Sequence, residues 1–467
     1  MCNLKTLKIN WGLYDAVHLP DGLDYLPDEL RYLHWDCYPL EELPSCFNPV
    51  NLVELDLAHS SIKQLWDGRK CLPKLKWLNL SFCKHLIRIP DLSDIPSAEH
   101  INLIDCISLL EIHSSTQCSG RYLDILFLYG CSKLEKLPPL SGLSSLTELN
   151  LYDCNLREIP EDIGYLSLLE ELDLGGNGFE SLPKSIKELS ELRSLRLNNC
   201  GMLRSLTELP SGLSYLEAKN CKQLIQFELY ADGRGSLNLN FVKCLKLDQK
   251  AVSNVFRESL LKMQLMTIEE EEGCSVEAPD ERDEEGVPVE EVKVSICLPG
   301  SEIPEWFRYK NVGSSINIPA LGLRHDCGSN RYIMGFAVCT VLGFEENHDD
   351  YHGDLRVGYD FHIETSDGDK EGFFHNPITL LYHEGFFHNR IALLYPESIS
   401  FERRESIGSD HMFFRYNFSI KCYEFFQKLD TSMGDYVGIS FEFHLETPVK
   451  GIEVKHCGIH PIYIHSS

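Results

Sequence analysis

Positive charge is scarce in this chain. Its 467 residues carry 43 Lys and Arg against 71 Asp and Glu, a formal charge of −28. A surface of that sign repels phosphate backbones, which argues against nucleic acid as a partner. Long apolar runs are missing too. The longest, Ile333 to Phe344, is interrupted by Gly335 and Gly343, well short of the ~20 residues of a membrane-spanning helix. The opening Met1-Cys2-Asn3-Leu4-Lys5 lacks the parts of a secretory signal, and no glycine follows Met1 for myristoylation. The dipeptide Gly-Lys is absent, so there is no P-loop. Gly175-Gly176-Asn177-Gly178 precedes no helical pattern, which excludes a dinucleotide turn. His383-Glu384-Gly385-Phe386-Phe387-His388 spaces its histidines five apart, whereas a zinc-protease helix needs four. His348 and His352 fall in a turn-rich stretch, and Cys118, Cys327 and Cys457 lack Cys-x-x-Cys partners. No nucleophile–base pair is legible. The expectation is a non-enzyme with no metal and no cofactor.

Cysteine, by contrast, is abundant, with 18 residues. With no secretory signal, free thiols are expected rather than disulfides. Their placement follows an internal repeat. From Leu30 to Leu247 the pattern L-x-x-L-x-L-x-x-C recurs with a period of about 23 residues, as in leucine-rich repeats. Copies begin at Leu30, Leu52, Leu75, Ala98, Leu123, Leu146, Leu169, Leu192 and Leu213, with a degraded one near Ser236. The ninth position is Tyr38, Ser60, Cys83, Cys106, Cys131, Cys154, Asn177, Cys200, Cys221 and Cys244 in turn. One cysteine per coil, at one structural position, predicts inward thiols stacked coil on coil. A disulfide ladder competes but favours no particular neighbour.

One coil cannot bury its own leucines. Stacked coils can, so about ten of them predict an α/β leucine-rich-repeat solenoid with a parallel sheet on its concave face. Leu43-Pro44, Leu137-Pro138 and Leu182-Pro183 belong on the convex side, because proline gives no ladder donor. Alternation along each strand turns the residues between leucines toward the concavity. That reading exposes Ile125, Phe127 and Tyr129 together, joined by Trp77, Phe82, Ile104 and Tyr152. Other coils carry Glu148, Asn150, Glu171, Asp173, Arg196 and Glu217 there. An exposed aromatic cluster on a concave face predicts a protein partner. Coverage by the chain's own C-terminal region is the alternative.

The expected organisation is an entry segment over 1–28, repeats over 29–250, a helical cap with an acidic linker over 251–291, and an all-β sandwich over 292–467. Val252, Val255, Phe256, Leu260, Met263 and Leu265 recur at helical spacing. Glu269 to Glu272 and Asp280 to Glu285 form like-charge runs that repel themselves. Beyond them, β-rich runs alternate with turns: Val292–Leu298, Ser315–Ile318, Tyr332–Leu342, Tyr359–Ile363, Met412–Ile420, Tyr436–Phe443 and Ile452–His456. Residues 371–383 are repeated at once as 384–396, with ten of thirteen positions identical, which reads as an extended surface loop.

Leu26-Pro27-Asp28-Glu29-Leu30-Arg31-Tyr32-Leu33-His34-Trp35, Phe47-Asn48-Pro49-Val50-Asn51-Leu52 and Ile62-Lys63-Gln64-Leu65-Trp66 resemble the opening repeats of plant TIR-type NB-ARC leucine-rich-repeat resistance receptors. Leu298-Pro299-Gly300-Ser301-Glu302-Ile303-Pro304-Glu305-Trp306-Phe307, Ser409-Asp410-His411 and Val454-Lys455-His456-Cys457-Gly458 resemble that family's C-terminal jelly-roll and Ig-like domain (C-JID). The resemblance implies the effector-recognition and autoinhibitory portion of an intracellular immune receptor, in the cytoplasm or nucleus. It implies a pathogen effector and the receptor's NB-ARC and TIR domains as partners. ADP or ATP and NAD are expected to bind those other domains, which these residues do not include. Two alternatives stand beside it: a scaffold or adaptor docking on an NB-ARC partner, or a decoy product that does not signal.

Overall fold

In the computed structural model, residues 4–9, 19, 21–114, 120–228, 236–271, 292–319, 331–344, 356–365, 370–371, 378–379, 409–418, 436–445 and 451–465 are described. The acidic runs past 271, most of the duplicated segment, and His348, His352, His383 and His388 lie outside them. The chain divides into two compact units. The first holds residues 1–232 and 244–255, the second 233–243 and 256–467.

The first unit is a ladder of short parallel strands, one per coil. They are β1 (Thr6–Ile9), β2 (Tyr32–Trp35), β3 (Glu54–Asp56), β4 (Trp77–Asn79), β5 (His100–Asn102), β6 (Ile125–Phe127), β7 (Glu148–Asn150), β8 (Glu171–Asp173), β9 (Ser194–Arg196) and β11 (Tyr215–Glu217). Two further strands, β10 (Ser205–Leu206) and β12 (Gln226–Phe227), pair with each other at a separate edge. Register is strict: Leu55, Leu78, Ile101, Leu126, Leu149, Leu172, Leu195 and Leu216 lie opposite one another in succession, all buried. Slipping by one residue would turn every leucine into the concavity, so the apolar pattern fixes the register. β1 lies within the segment expected to be only an entry. Leu4-Lys5-Thr6-Leu7-Lys8-Ile9 carries the repeat's apolar spacing, and Leu7 pairs with Leu33.

Each coil leaves its strand through a left-handed residue just before the ninth position. These are Cys37, His59, Phe82, Asp105, Gly130, Asp153, Gly176, Asn199, Asn220 and Lys243. Such a φ costs a non-glycine residue about 1 kcal/mol. The kink aims the next side chain back into the stack. There the thiols of Cys83, Cys106, Cys131, Cys154, Cys200, Cys221 and Cys244 each donate to a backbone carbonyl of the preceding coil, at 2.9 to 3.3 Å. Asn177 does more. Its amide donates to the carbonyls of Leu151, Leu174 and Gly175, and its Oδ1 accepts from the Leu156 N–H. Among the described residues every cysteine is a free thiol, which settles the ladder's chemistry in favour of hydrogen bonds. Burial raises Cys83 and Cys131 to about 12 and drives Cys106 and Cys154 well above the ordinary thiol range. Thiolate is the reactive form. In native protein at pH 8, maleimide should label exposed Cys46 and Cys71 about a thousandfold faster than the ladder thiols, which wait for local opening. Peptide mapping showing Cys131 labelled as fast as Cys71 would contradict this.

The second unit contains β13 (Leu237–Asn240), most of the helix α1 (Gln249–Glu271), β14 (Val292–Pro299), β15 (Tyr309–Val312), β16 (Ser315–Pro319), β17 (Arg331–Phe344), β18 (Arg356–Thr365), β19 (Lys370–Glu371), β20 (Ile378–Thr379), β21 (His411–Phe418), β22 (Tyr436–Leu445) and β23 (Ile452–His465). One sheet runs β13-β14-β21-β17-β23-β15, parallel at β13/β14 and antiparallel elsewhere; the other runs β16-β22-β18-β19. Ile316, Ile318, Ile439, Phe441 and Phe443 from the second sheet share a core with Phe336, Val338, Cys457 and Ile459 from the first. Phe256 of α1 packs in an aromatic cluster with Trp306 and Phe414. Buried His411 accepts from the Lys243 N–H at Nε2, 3.0 Å, and its Nδ1 lies 2.7 Å from the Ser409 carbonyl.

Candidate protein-binding face

Three columns of side chains cover the concave sheet, because strand residues alternate faces while neighbouring rungs keep register. The first column runs Trp77, His100, Ile125, Glu148, Glu171, Ser194 and Tyr215. The middle column runs Asp56, Asn79, Asn102, Phe127, Asn150, Asp173, Arg196 and Glu217. The third lies two residues further on and holds Ile104, Tyr129, Tyr152 and Gly175.

The middle column is built by local chemistry. Asp56, Asn79, Asn102, Asn150 and Asp173 each accept the N–H two residues ahead, at 2.9 to 3.1 Å. These Asx turns end each strand at the same point. Two of them, Asn150 and Asp173, are expected from alternation to be outward polar groups. The signal for the turns was there, as Asp or Asn at the coil period. Phe127 is the one apolar break in that run.

Of the seven residues expected to form an exposed patch, six stand in these columns and Phe82 sits at the left-handed turn that leaves β4, but they are not exposed equally. Ile104, Ile125 and Phe127 are buried, at 5%, 4% and 2% exposure. This corrects their expected exposure. Alternation gives a side chain's direction and not its depth, and rungs about 4.8 Å apart flank each side chain closely. Phe127 lies between Asn102 and Asn150, and Ile125 between His100 and Glu148. Trp77, Phe82, Tyr129 and Tyr152 remain half-buried.

Each of those four packs against another ring. Tyr129 and Tyr152 lie 5.0 Å apart and 4° from parallel. Asn199 donates to the Tyr152 hydroxyl at 2.9 Å. Gly175 makes room, since a Cβ there would lie 2.6 Å from the Tyr152 ring and 2.8 Å from the Asn198 carbonyl. Phe82 stacks on His59 at 4.5 Å, and Trp77 lies 4.4 Å from the His100 ring. Pre-ordered aromatic rings with one open face lose little entropy on binding.

Charge gathers on the rungs beyond. Arg196 reaches Glu171 at 3.5 Å and lies 5.6 Å over the Tyr215 ring. Burial, then Glu171, raises Glu148 to about 7. Burial opposes the charge of Glu217, yet Lys219 and Asn198 hold its pKa below the usual value. Among the described residues no group of three or more His, Cys, Asp or Glu is placed to hold a metal ion. No helix there is long and apolar enough to cross a membrane. The face offers shape, aromatic surface and negative charge, the features of a binding surface.

Residues 298–467 match the C-JID domain family, and residues 111–312 match a leucine-rich repeat region family. Over 96% of its length the chain is 27% identical to disease resistance protein RPS4B of Arabidopsis thaliana, covering 42% of that protein. Over 32% of its length it is 44% identical to disease resistance protein RPP2A of the same plant, covering 12% of it. The chain thus spans less than half the length of these relatives. Among solved structures, the leucine-rich repeat domain of the type III effector XopL is similar at 21% identity and a TM-score of 0.34, over 43% of this chain and 74% of that one.

Proposed function

The chain carries the leucine-rich-repeat and C-JID portion of plant TIR-type NB-ARC leucine-rich-repeat disease resistance proteins, and from that premise we propose that it recognises a pathogen protein inside the plant cell. The observation that carries the reading is the Tyr129–Tyr152 stack, held half-open on the concave face by Asn199 and Gly175. Loops of the C-JID domain are a second contact. In this reading the portion also restrains an attached nucleotide-binding module, and needs no cofactor of its own. The pathogen protein releases that restraint only by binding the released state more tightly than the restrained one.

Aromatic residues at interface centres are the usual energetic anchors. Tyr129→Ala and Tyr152→Ala should each weaken capture of a cognate pathogen protein by about 30-fold, the equivalent of ~2 kcal/mol. The assay is co-expression in leaf tissue with secreted pathogen proteins, followed by affinity measurement on the pair that the unaltered chain captures. Thermal unfolding of each variant serves as control. Undiminished capture by both well-folded variants would remove the patch from the recognition reading.

A scaffold that docks on a basic surface of another protein is a second reading, favoured by the charge of −28. Such docking weakens steeply with added salt. Salt-insensitive association would count against it.

A further inference from the structure

Chemistry changes along the first concave column. At one end the Trp77 and His100 rings lie 4.4 Å apart with their planes tilted by 42°, and Ile125 is on the rung after His100. Next, Glu148 and Glu171 sit side by side on adjacent rungs, followed by Ser194. Arg196 serves Glu171 at 3.5 Å and turns its other face to Tyr215. The Glu148 side chain has no hydrogen bond and no close ion pair among the described residues, and Arg196 offsets its charge only in part. A desolvated carboxyl without a directly paired cation is costly, and a cation brought by another molecule relieves that cost. A second observation points the same way. Ser194 is more than nine-tenths buried, and its Oγ has no hydrogen-bond partner. Its neighbours in the column are Glu171 and Tyr215. Two carboxyls and a spare hydroxyl in a row match the fork of a guanidinium, which presents several donors in one plane.

We propose that this column takes an extended segment of a partner protein lying across the rungs, with an arginine at Glu148 and Glu171 and an apolar side chain over the Trp77–His100 ring pair. The proposal rests on reading the concave face as the recognition surface, and it names the partner's chemistry there. Rungs are about 4.8 Å apart, so three rungs separate the ring pair from the carboxyl pair by about 14 Å. An extended chain covers that in about four residues, and its side chains alternate. The residue midway then faces Ile125. The predicted partner motif is an arginine with apolar residues two and four positions away, on one side.

The probe is a random twelve-residue peptide display library panned against the full chain. Enriched peptides are then synthesised with arginine and with citrulline, which keeps the shape and loses the charge. The expected result is enrichment of the stated spacing, and at least a tenfold loss of affinity for the citrulline peptide on the unaltered protein. The E148Q/E171Q double variant should lose the arginine peptide to the same extent, while Glu135→Gln leaves it unchanged. Citrulline substitution requires no altered protein, so the test survives a variant that fails to fold. Enriched sequences without a basic residue, or affinity indifferent to citrulline, overturn the proposal. If Tyr129→Ala and Tyr152→Ala abolish capture of the pathogen protein while citrulline costs nothing, recognition by this face stands and the arginine subsite falls. Indifference to both sets overturns both.

Discussion

Replacing Asn177 with alanine is expected to destabilise the solenoid by roughly 3 kcal/mol, the largest single effect of any polar change in the ladder. Two backbone groups lose their side-chain partner at once, the Leu151 carbonyl and the Leu156 N–H. Each buried group left unsatisfied costs about 1–3 kcal/mol. The carbonyls of Leu174 and Gly175 keep a donor from Cys200 and Asp153 respectively. Asn177→Cys gives this coil the side chain that its neighbours use. The thiol can reach the Leu151 carbonyl but offers little to the Leu156 N–H, so the variant should recover about half the loss. Denaturant midpoints of the three proteins decide the matter. A cysteine variant no more stable than the alanine variant would show that the ladder bond itself contributes nothing.

Glu148→Gln should stabilise the chain, and only at higher pH. The folded-state pKa of Glu148 lies near 7, raised by burial and then by Glu171, against about 4.3 in an unfolded chain. Below the lower value the carboxyl is neutral in both states, so its contribution is fully retained. As pH rises, the unfolded chain gives up the proton first, and stability drains away until the folded carboxyl ionises too. The glutamine variant has no proton to lose. Its advantage should be about 1 kcal/mol at pH 5 and grow to roughly 3–4 kcal/mol at pH 8, following ~1.4 kcal/mol for each pKa unit. Paired thermal melts at the two pH values measure it. An equal advantage at both would mean that the carboxyl's charge is not the cause.

The coil period, the leucine core and the cysteine column were legible in the sequence because each depends on spacing within a single repeat. Most of the second unit's long strands were legible as local β-rich runs between turns, whereas β15, β19, β20 and the second half of β23 were not. The run read as Ser315–Ile318 is a strand over Ser315–Pro319, and Tyr436–Phe443 extends only to Leu445. What escaped depended on relations between coils. Phe127 points to the concave side as alternation requires, but its burial is set by the residues on adjoining rungs. The Glu148–Glu171 pairing needs the register of β7 against β8, which no single coil encodes. β1 escaped because its coil shows the apolar spacing at Leu4, Leu7 and Ile9 without a clear ninth-position residue to mark it.

The thiol ladder has a consequence for how such a chain changes over generations. Each thiol reaches back to a main-chain oxygen of the coil before it, and every coil presents that oxygen in the same place whatever its side chains. The joint is therefore generic. Loss or duplication of a whole coil leaves two compatible ends, while insertion of half a coil leaves none. The Asn177 joint differs, because it also binds the Leu156 N–H of the preceding coil and so is matched to its own neighbour. Lineages that lengthen or shorten this array are expected to do so in complete units, with breakpoints away from that joint.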